Sequence, residues 1–221
     1  FVGDSARCPY GPRDLAEGDQ FVQQICSWLV NRGVKMIVIA CNTATAAGLA
    51  HAQRSFPVPI VGVVEPGARA AVQMTRNRKV GVIATKGTVA SVFSTATPRF
   101  VEIAELGLKM AEGPIESYMA EASKVYIRSE FREIAREYLE PLRRCGVDTL
   151  VLGCTHYPLL KALIGGVMGR DVVLVSSAEE TARDVEGMLR RRGALAHEGN
   201  IAQRRFFTSG KDVAEFERFG S

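Results

Sequence analysis

Gly33-Val-Lys-Met-Ile-Val-Ile-Ala-Cys41 and Gly146-Val-Asp-Thr-Leu-Val-Leu-Gly-Cys154 are two versions of one phrase. Each opens with a glycine suited to ending a helix. Each continues through Val into a short apolar run. Each then places one small residue before a cysteine. The glycine precedes the cysteine by eight residues in both copies (41 − 33 and 154 − 146). Polar pairs follow, Asn42-Thr43 in the first and Thr155-His156 in the second. Apolar runs of this length between helical patterns are buried strands of a parallel sheet. The copies are 113 residues apart (154 − 41), too far for a solenoid repeat. They predict two similar α/β halves, each presenting one cysteine at the carboxyl end of a strand.

The same reading extends in both directions. Asp14 caps a predicted helix, with Glu17 as the far arm of a capping box. Phe21, Ile25, Trp28 and Leu29 recur at helical spacing up to Gly33. The strand Val34 to Ala40 follows, then a helix to about Arg54, a strand Ile60 to Val64, a further helix, and a strand Val80 to Ala84. In the second half a helix runs from Ser129 to Arg144. It carries Phe131, Ile134, Ala135, Tyr138, Leu139 and Leu142 on one face, with Pro141 as an expected kink. Strands are predicted at Val147 to Gly153 and Val172 to Val175. Ser177 and Glu180 form a second capping box for a helix reaching Arg192. Phe206 to Thr208 reads as an edge strand, and the tail from Asp212 as helical. Ala84 to Thr88 reads as a βα turn bordering the ligand cleft.

This pattern predicts two doubly wound domains with mainly parallel sheets, related by a pseudo-twofold axis. Their ligand lies in the cleft between them, beyond the carboxyl ends of the strands. Residues 1–90 form part of the first half and 91–190 the second. Residues 191–221 return to the first. The chain opens at the end of an apparent strand, so a strand and helix are expected ahead of Phe1. Ser91 to Phe100 is too short of helical pattern for a crossover. Either residues are missing near Phe93 or the topology changes there.

Composition excludes several functions. The 221 residues carry 28 basic and 24 acidic side chains, a net charge of +4. The tightest basic run, Arg190 to Arg192, closes a predicted helix, where cations suit the dipole. No basic face for direct nucleic-acid binding is expected. No apolar run approaches a membrane span, and the first residues are not a signal peptide. Five cysteines without C-x-x-C, and three scattered histidines, make neither a disulfide framework nor a metal site. The chain reads as cytoplasmic, with reduced thiols.

The cysteines suggest the chemistry. One cysteine at a strand end is most often a small buried hydrophobe. Two in matched settings are a different matter. A thiol where a strand meets a helix faces the positive end of the helix dipole, a placement expected to favour thiolate. Two opposed thiols can remove a proton from one face of a carbon and return one to the other. His156 can adjust their protonation. Cys8, Cys26 and Cys145 lack this setting, and Glu65, before Pro66, reads as a loop residue.

Ala40-Cys-Asn-Thr-Ala-Thr45 and Leu152-Gly-Cys-Thr-His-Tyr-Pro-Leu-Leu160 resemble the signature segments of bacterial glutamate racemases, within the aspartate/glutamate racemase family. Gly3-Asp-Ser-Ala-Arg7 with Pro9-Tyr-Gly-Pro12 is similar to a third segment. Val63 to Pro66 and Pro98 to Val101 also fit the order. The resemblance implies catalysis by Cys41 and Cys154, assisted by His156 and by a glutamate matched best by Glu105, with Glu102 the weaker match. It implies substrate contacts at Tyr10, Gly11, Asn42, Thr43, Thr155 and His156. It implies no cofactor and no metal, a homodimer, and D-glutamate as a product for peptidoglycan. The family's early Asp-Ser-Gly segment is absent, and Asp4-Ser5 belongs to a later loop. Thr97 stands where the family often has a cysteine. The rivals are a racemase of aspartate or another acidic amino acid, a non-catalytic protein restraining DNA gyrase, and a thiol redox protein.

Overall fold

The computed structural model describes residues 1–85, 88, 103–104, 129–197, 199–211, 213–214 and 216. Eight strands and six α-helices are described, in α/β order. They are β1 (Val2–Gly3), α1 (Leu15–Val30), β2 (Ile37–Ile39), α2 (Asn42–Ser55), β3 (Ile60–Gly62), α3 (Val64–Met74), β4 (Val80–Ala84), β5 (Ile103–Ala104), α4 (Ser129–Arg144), β6 (Thr149–Gly153), α5 (Lys161–Met168), β7 (Val173–Ser176), α6 (Ser177–Arg191) and β8 (Phe207–Thr208). Every described strand pair is parallel.

The largest sheet has the order β5-β4-β6-β7. Its central strand β6 is buried along its whole length, and its side chains alternate between faces. Leu150 and Leu152 enter a core with Leu139 and Leu142 of α4 and Leu163, Ile164 and Val167 of α5. Val151 faces the other way, into a cluster with Ala70 and Ala71 of α3 and with Val80 and Val175. Helices thus cover both faces, as a doubly wound sheet requires. Strand β4 lies within the residues assigned above to the first half. It is the immediate neighbour of β6, with Val80 opposite Thr149 and Ala84 opposite Gly153.

The second core surrounds β2 and β3, where Val22 and Cys26 of α1 and Ala44 and Ala52 of α2 meet Ile37, Ile39 and Ile60. Helices α1 and α2 approach closely because glycines face them. A Cβ on Gly48 would stand 2.7 Å from Val22 Cβ, and one on Gly18 would stand 3.0 Å from Ala47 Cβ. The last strand β8 pairs with the first, β1. Phe207 meets Trp28 of α1 edge-on, with centroids 4.9 Å apart.

Both repeat glycines adopt the left-handed conformation, Gly33 at φ 72° and Gly146 at φ 68°. Their N–H groups close the preceding helices on Val30 (2.9 Å) and Arg143 (3.0 Å). The expected strand Val34 to Ala40 shortens to Ile37–Ile39, because its partner β3 offers only Ile60 to Gly62. Val64 starts α3 rather than extending β3, since Pro66 in a first helical turn sacrifices no hydrogen bond. Asp14 caps α1 by accepting from Ala16 N at 3.1 Å, but Glu17 pairs with Arg13 instead of closing a box. At α6 the cap is Ser176, not Ser177, and Glu180 turns to Arg183. Helix α4 continues past Pro141. Among the described residues no helix is long and apolar enough to cross a membrane.

Asp148 sets the start of β6. Its carboxylate accepts from Thr75 Oγ1 (2.6 Å), Arg76 N and Asn77 N (both 2.7 Å) and Thr149 Oγ1 (3.0 Å). Burial opposes ionisation, but these donors hold its pKa at about 2, below the ordinary 3.8. The stabilisation is full above 3.8 and disappears as pH falls through about 2. Asp148→Ala is expected to cost about 1 kcal/mol at neutral pH, the net value of ordinary hydrogen bonds, because water reaches and screens this carboxylate. Urea unfolding of both proteins at neutral pH and near pH ~2 tests this. The difference should shrink in acid, and an undiminished gap would show that the charge is not what holds the turn.

Candidate active site

Cys41 follows β2 and occupies the N-cap position of α2, in an extended conformation (φ −93°, ψ 127°). Its carbonyl accepts the first helical bond from Thr45 N at 2.8 Å. Thr45 fixes this junction further. Its hydroxyl donates to Ile39 O at 2.9 Å and accepts from Val63 N at 3.4 Å. Asn42 opens the helix, 5% exposed. Its side-chain oxygen is buried without a hydrogen-bond partner among the described residues. A buried acceptor left open in this way suits a ligand N–H.

Cys154 follows β6 in the corresponding position, but its surroundings differ. A 3-10 turn, Tyr157–Leu160, separates it from α5, so it does not cap a long helix. Gly153 is required before it. A Cβ there would stand 2.8 Å from both Ala84 Cβ and the Ile83 carbonyl oxygen. The thiolate expected from a helix dipole is not what this site favours. Burial pushes the Cys154 thiol up, and the charges of Cys41 and Cys8 push in the same direction. The N–H groups of His156 and Tyr157 pull against them and do not prevail. His156 Nδ1 lies 3.6 Å from Cys154 Sγ. Burial lowers the imidazole pKa, which keeps the ring neutral.

The two strand-end cysteines lie in one region of the fold though they are far apart in sequence, since Thr43, two residues past Cys41, bonds Thr85, and the strand before Thr85 pairs with the strand before Cys154. Tyr10 belongs to it too, since its ionisation responds to Cys41. The Tyr10 hydroxyl donates to Asp4, and its ring stacks obliquely on Phe21 at 5.5 Å. Burial first, then the Asp4 carboxylate, keeps the phenol protonated. Gly11 lies against Thr85, where a Cβ would come within 3.1 Å of Thr85 Cγ2. Thr43 reaches across to Thr85 at 2.8 Å and to Thr88 at 3.4 Å, and Thr85 and Thr88 are 3.0 Å apart. Thr155 is exposed in the turn after Cys154.

The structure thus gathers Tyr10, Gly11, Thr43, Cys41, Cys154 and His156 around the ends of β2, β4 and β6. Glu105 and Glu102 lie outside the described residues. Glu65 is not a loop residue. It opens α3, points into solvent and pairs with Arg69 at 3.6 Å. Sequence reasoning placed the 84–88 turn by the cleft but did not single out Thr85 and Thr88. It also missed the Asp4 network, in which Asp4 accepts from Arg7 Nε at 2.7 Å and from Ser209 Oγ at 2.6 Å. A hydroxyl 205 residues away leaves no local signal. Among the described residues no three His, Cys, Asp or Glu side chains gather as a metal site.

Known proteins resemble this chain in sequence and fold. The chain is 41% identical over 235 residues to glutamate racemase of Listeria innocua serovar 6a, which spans 97% of this chain and 82% of that protein. It superposes on glutamate racemase isoform RacE1 of Bacillus anthracis with a TM-score of 0.86 and 38% identity, over 100% of this chain and 81% of that one. Glutamate racemase of Francisella tularensis, solved with D-glutamate, matches with a TM-score of 0.80 and 25% identity, over 96% of this chain and 78% of that one. Residues 1–185 match the Asp/Glu/Hydantoin racemase family, and to that family this chain belongs.

Proposed function

We propose that this protein is a cofactor-independent glutamate racemase working through Cys41 and Cys154. The reading is supported by the geometry of the two strand ends: Thr43, two residues past Cys41, bonds Thr85 at the end of β4, β4 pairs with the β6 that leads to Cys154, and His156 Nδ1 lies 3.6 Å from the Cys154 sulfur. The substrate assignment draws on the glutamate racemases above, one of them solved with D-glutamate. The resemblance extends the reading to a cytoplasmic homodimer whose D-glutamate enters peptidoglycan synthesis. It also extends it to Glu105 as an assisting carboxylate.

In the proposed reaction, the thiolate on one face of the substrate takes the Cα proton. The Cα–H electron pair remains on carbon, delocalised into the adjacent carboxylate. The thiol on the opposite face gives its proton to Cα and becomes the thiolate. The reverse reaction exchanges the two roles, so the active enzyme carries one proton on the pair. A burial-raised Cys154 suits the protonated partner at rest. His156, neutral and 3.6 Å from its sulfur, can take and return that proton. The open Asn42 oxygen can accept from the substrate ammonium. The threonine hydroxyls of Thr43, Thr85 and Thr88, with the loop at Tyr10 and Gly11, supply donors for carboxylates.

Circular dichroism of L-glutamate without added cofactor tests the reaction. The wild type should erase the optical signal, and Cys41→Ser and Cys154→Ser should each slow it by about 10³-fold, within the range for losing an acid/base group. A signal lost with aspartate alone would move the substrate and keep the mechanism. Silence with every acidic amino acid would favour the binding role toward DNA gyrase. Alkylation tests the electrostatics separately. Only thiolate reacts with iodoacetamide, so in Cys41→Ala the Cys154 adduct, followed by peptide mass, should appear with a midpoint above the ordinary 9.0. A midpoint below that value would mean that the helix dipole outweighs burial.

A further inference from the structure

Strand β8 ends at Thr208 and the chain turns through Ser209 and Gly210, far in sequence from the loop that carries Tyr10, yet the two are joined by a closed set of hydrogen bonds. Ser209 N donates to Gly3 O at 3.1 Å, continuing the β1–β8 pairing. Ser209 Oγ donates to Asp4 Oδ1 at 2.6 Å and accepts from Ala6 N at 3.1 Å. Thr208 Oγ1 bonds Ser5 Oγ, and Gly210 N donates to the same Ser5 oxygen at 3.1 Å. A Cβ on Gly210 would press on Ser5 Oγ and displace that hydroxyl from the turn.

Asp4 connects this turn to the substrate loop. Its side chain is 8% exposed. One carboxylate oxygen faces Ser209, and the other accepts from Tyr10 and from Arg7 Nε at 2.7 Å. Burial opposes the charge, and the hydrogen bonds from Ser209, Tyr10 and Arg7 overcome it, so Asp4 stays ionised. The loop is held from its other side by Arg13 Nε, which donates to Arg7 O at 2.8 Å and to Pro9 O at 3.2 Å. The Tyr10 hydroxyl therefore has a fixed acceptor only while Asp4 is fixed, and Ser209 supplies that fixation on the side opposite the loop.

We propose that the 208–210 turn clasps the substrate loop, with Ser209 a positioning residue that acts on substrate binding through Asp4 and Tyr10. This rests on the racemase reading above. The thiols and His156 stand on other elements, so loss of the clasp should weaken binding more than proton transfer. Without it, the loop no longer holds Tyr10 on Asp4 or Gly11 against Thr85.

Steady-state racemisation in both directions tests the clasp in the full-length protein. Ser209→Ala should raise KM for glutamate about 10-fold and change kcat by no more than about twofold, the signature of lost substrate binding. Ser209→Thr keeps the hydroxyl and should restore KM. In a Tyr10→Phe background, Ser209→Ala should add no further rise, because the path through Tyr10 is already cut. An unchanged KM in Ser209→Ala, or the same added rise in the Tyr10→Phe background, would overturn the inference and leave the racemase reading standing. A wild type inert toward both enantiomers would overturn both. Should Ser209→Ala fail to fold, Ser209→Cys, nearly isosteric and a poor donor, takes its place under the same criteria.

Discussion

The register between β4 and β6 is the constraint on which the site depends. Ala84 lies opposite Gly153, and the strands approach so closely that no Cβ fits at position 153. Two chain segments therefore leave the sheet side by side. One begins with Thr85 and the other with Cys154. Thr85 then meets Thr43, at the start of α2 and two residues beyond Cys41. A slip of one residue would turn every side chain of β6 to the opposite face. It would exchange the leucine core for the Val151 face and carry Cys154 away from its partners.

The repeated phrase does not yield two equal thiols. Cys41 stands at the start of a 14-residue helix, whereas Cys154 enters a 3-10 turn, and burial raises its thiol pKa. Desolvation favours the neutral thiol, and a short turn has too few aligned peptide dipoles to reverse that. His156 is kept neutral by the same burial. A thiol held protonated by burial at Cys154 supplies the acid of the pair.

The binding side of the site has a different origin. Asn42 and Thr43 are buried in the first turn of α2, and Thr85 directly follows β4, so packing of regular elements sets their positions. Tyr10 and Gly11 stand on a loop, which has no lattice of its own to fix it. Its geometry is supplied by a carboxylate, two arginines and the far end of the chain. The loop can thus be tuned by residues that never meet the substrate.

Much of this was legible from residue order. The glycine, the apolar run and the cysteine are local signals, and each follows from the backbone. Glycine tolerates positive φ, β-branched residues suit a buried strand, and small residues allow close approach. Cys41, Cys154 and His156 could be singled out from them, as could the α/β class and most elements, whereas Asn42 and Thr43 were named through the family resemblance. The exact limits could not, because strand length depends on the partner strand and a cap depends on which hydroxyl turns inward. Two kinds of fact belonged to the tertiary structure alone. The pKa directions did, since burial is a property of what surrounds a group and not of its neighbours in the chain. So did the meeting of Thr43 with Thr85 and of Asp4 with Ser209, since a hydrogen bond between distant residues carries no periodicity to read.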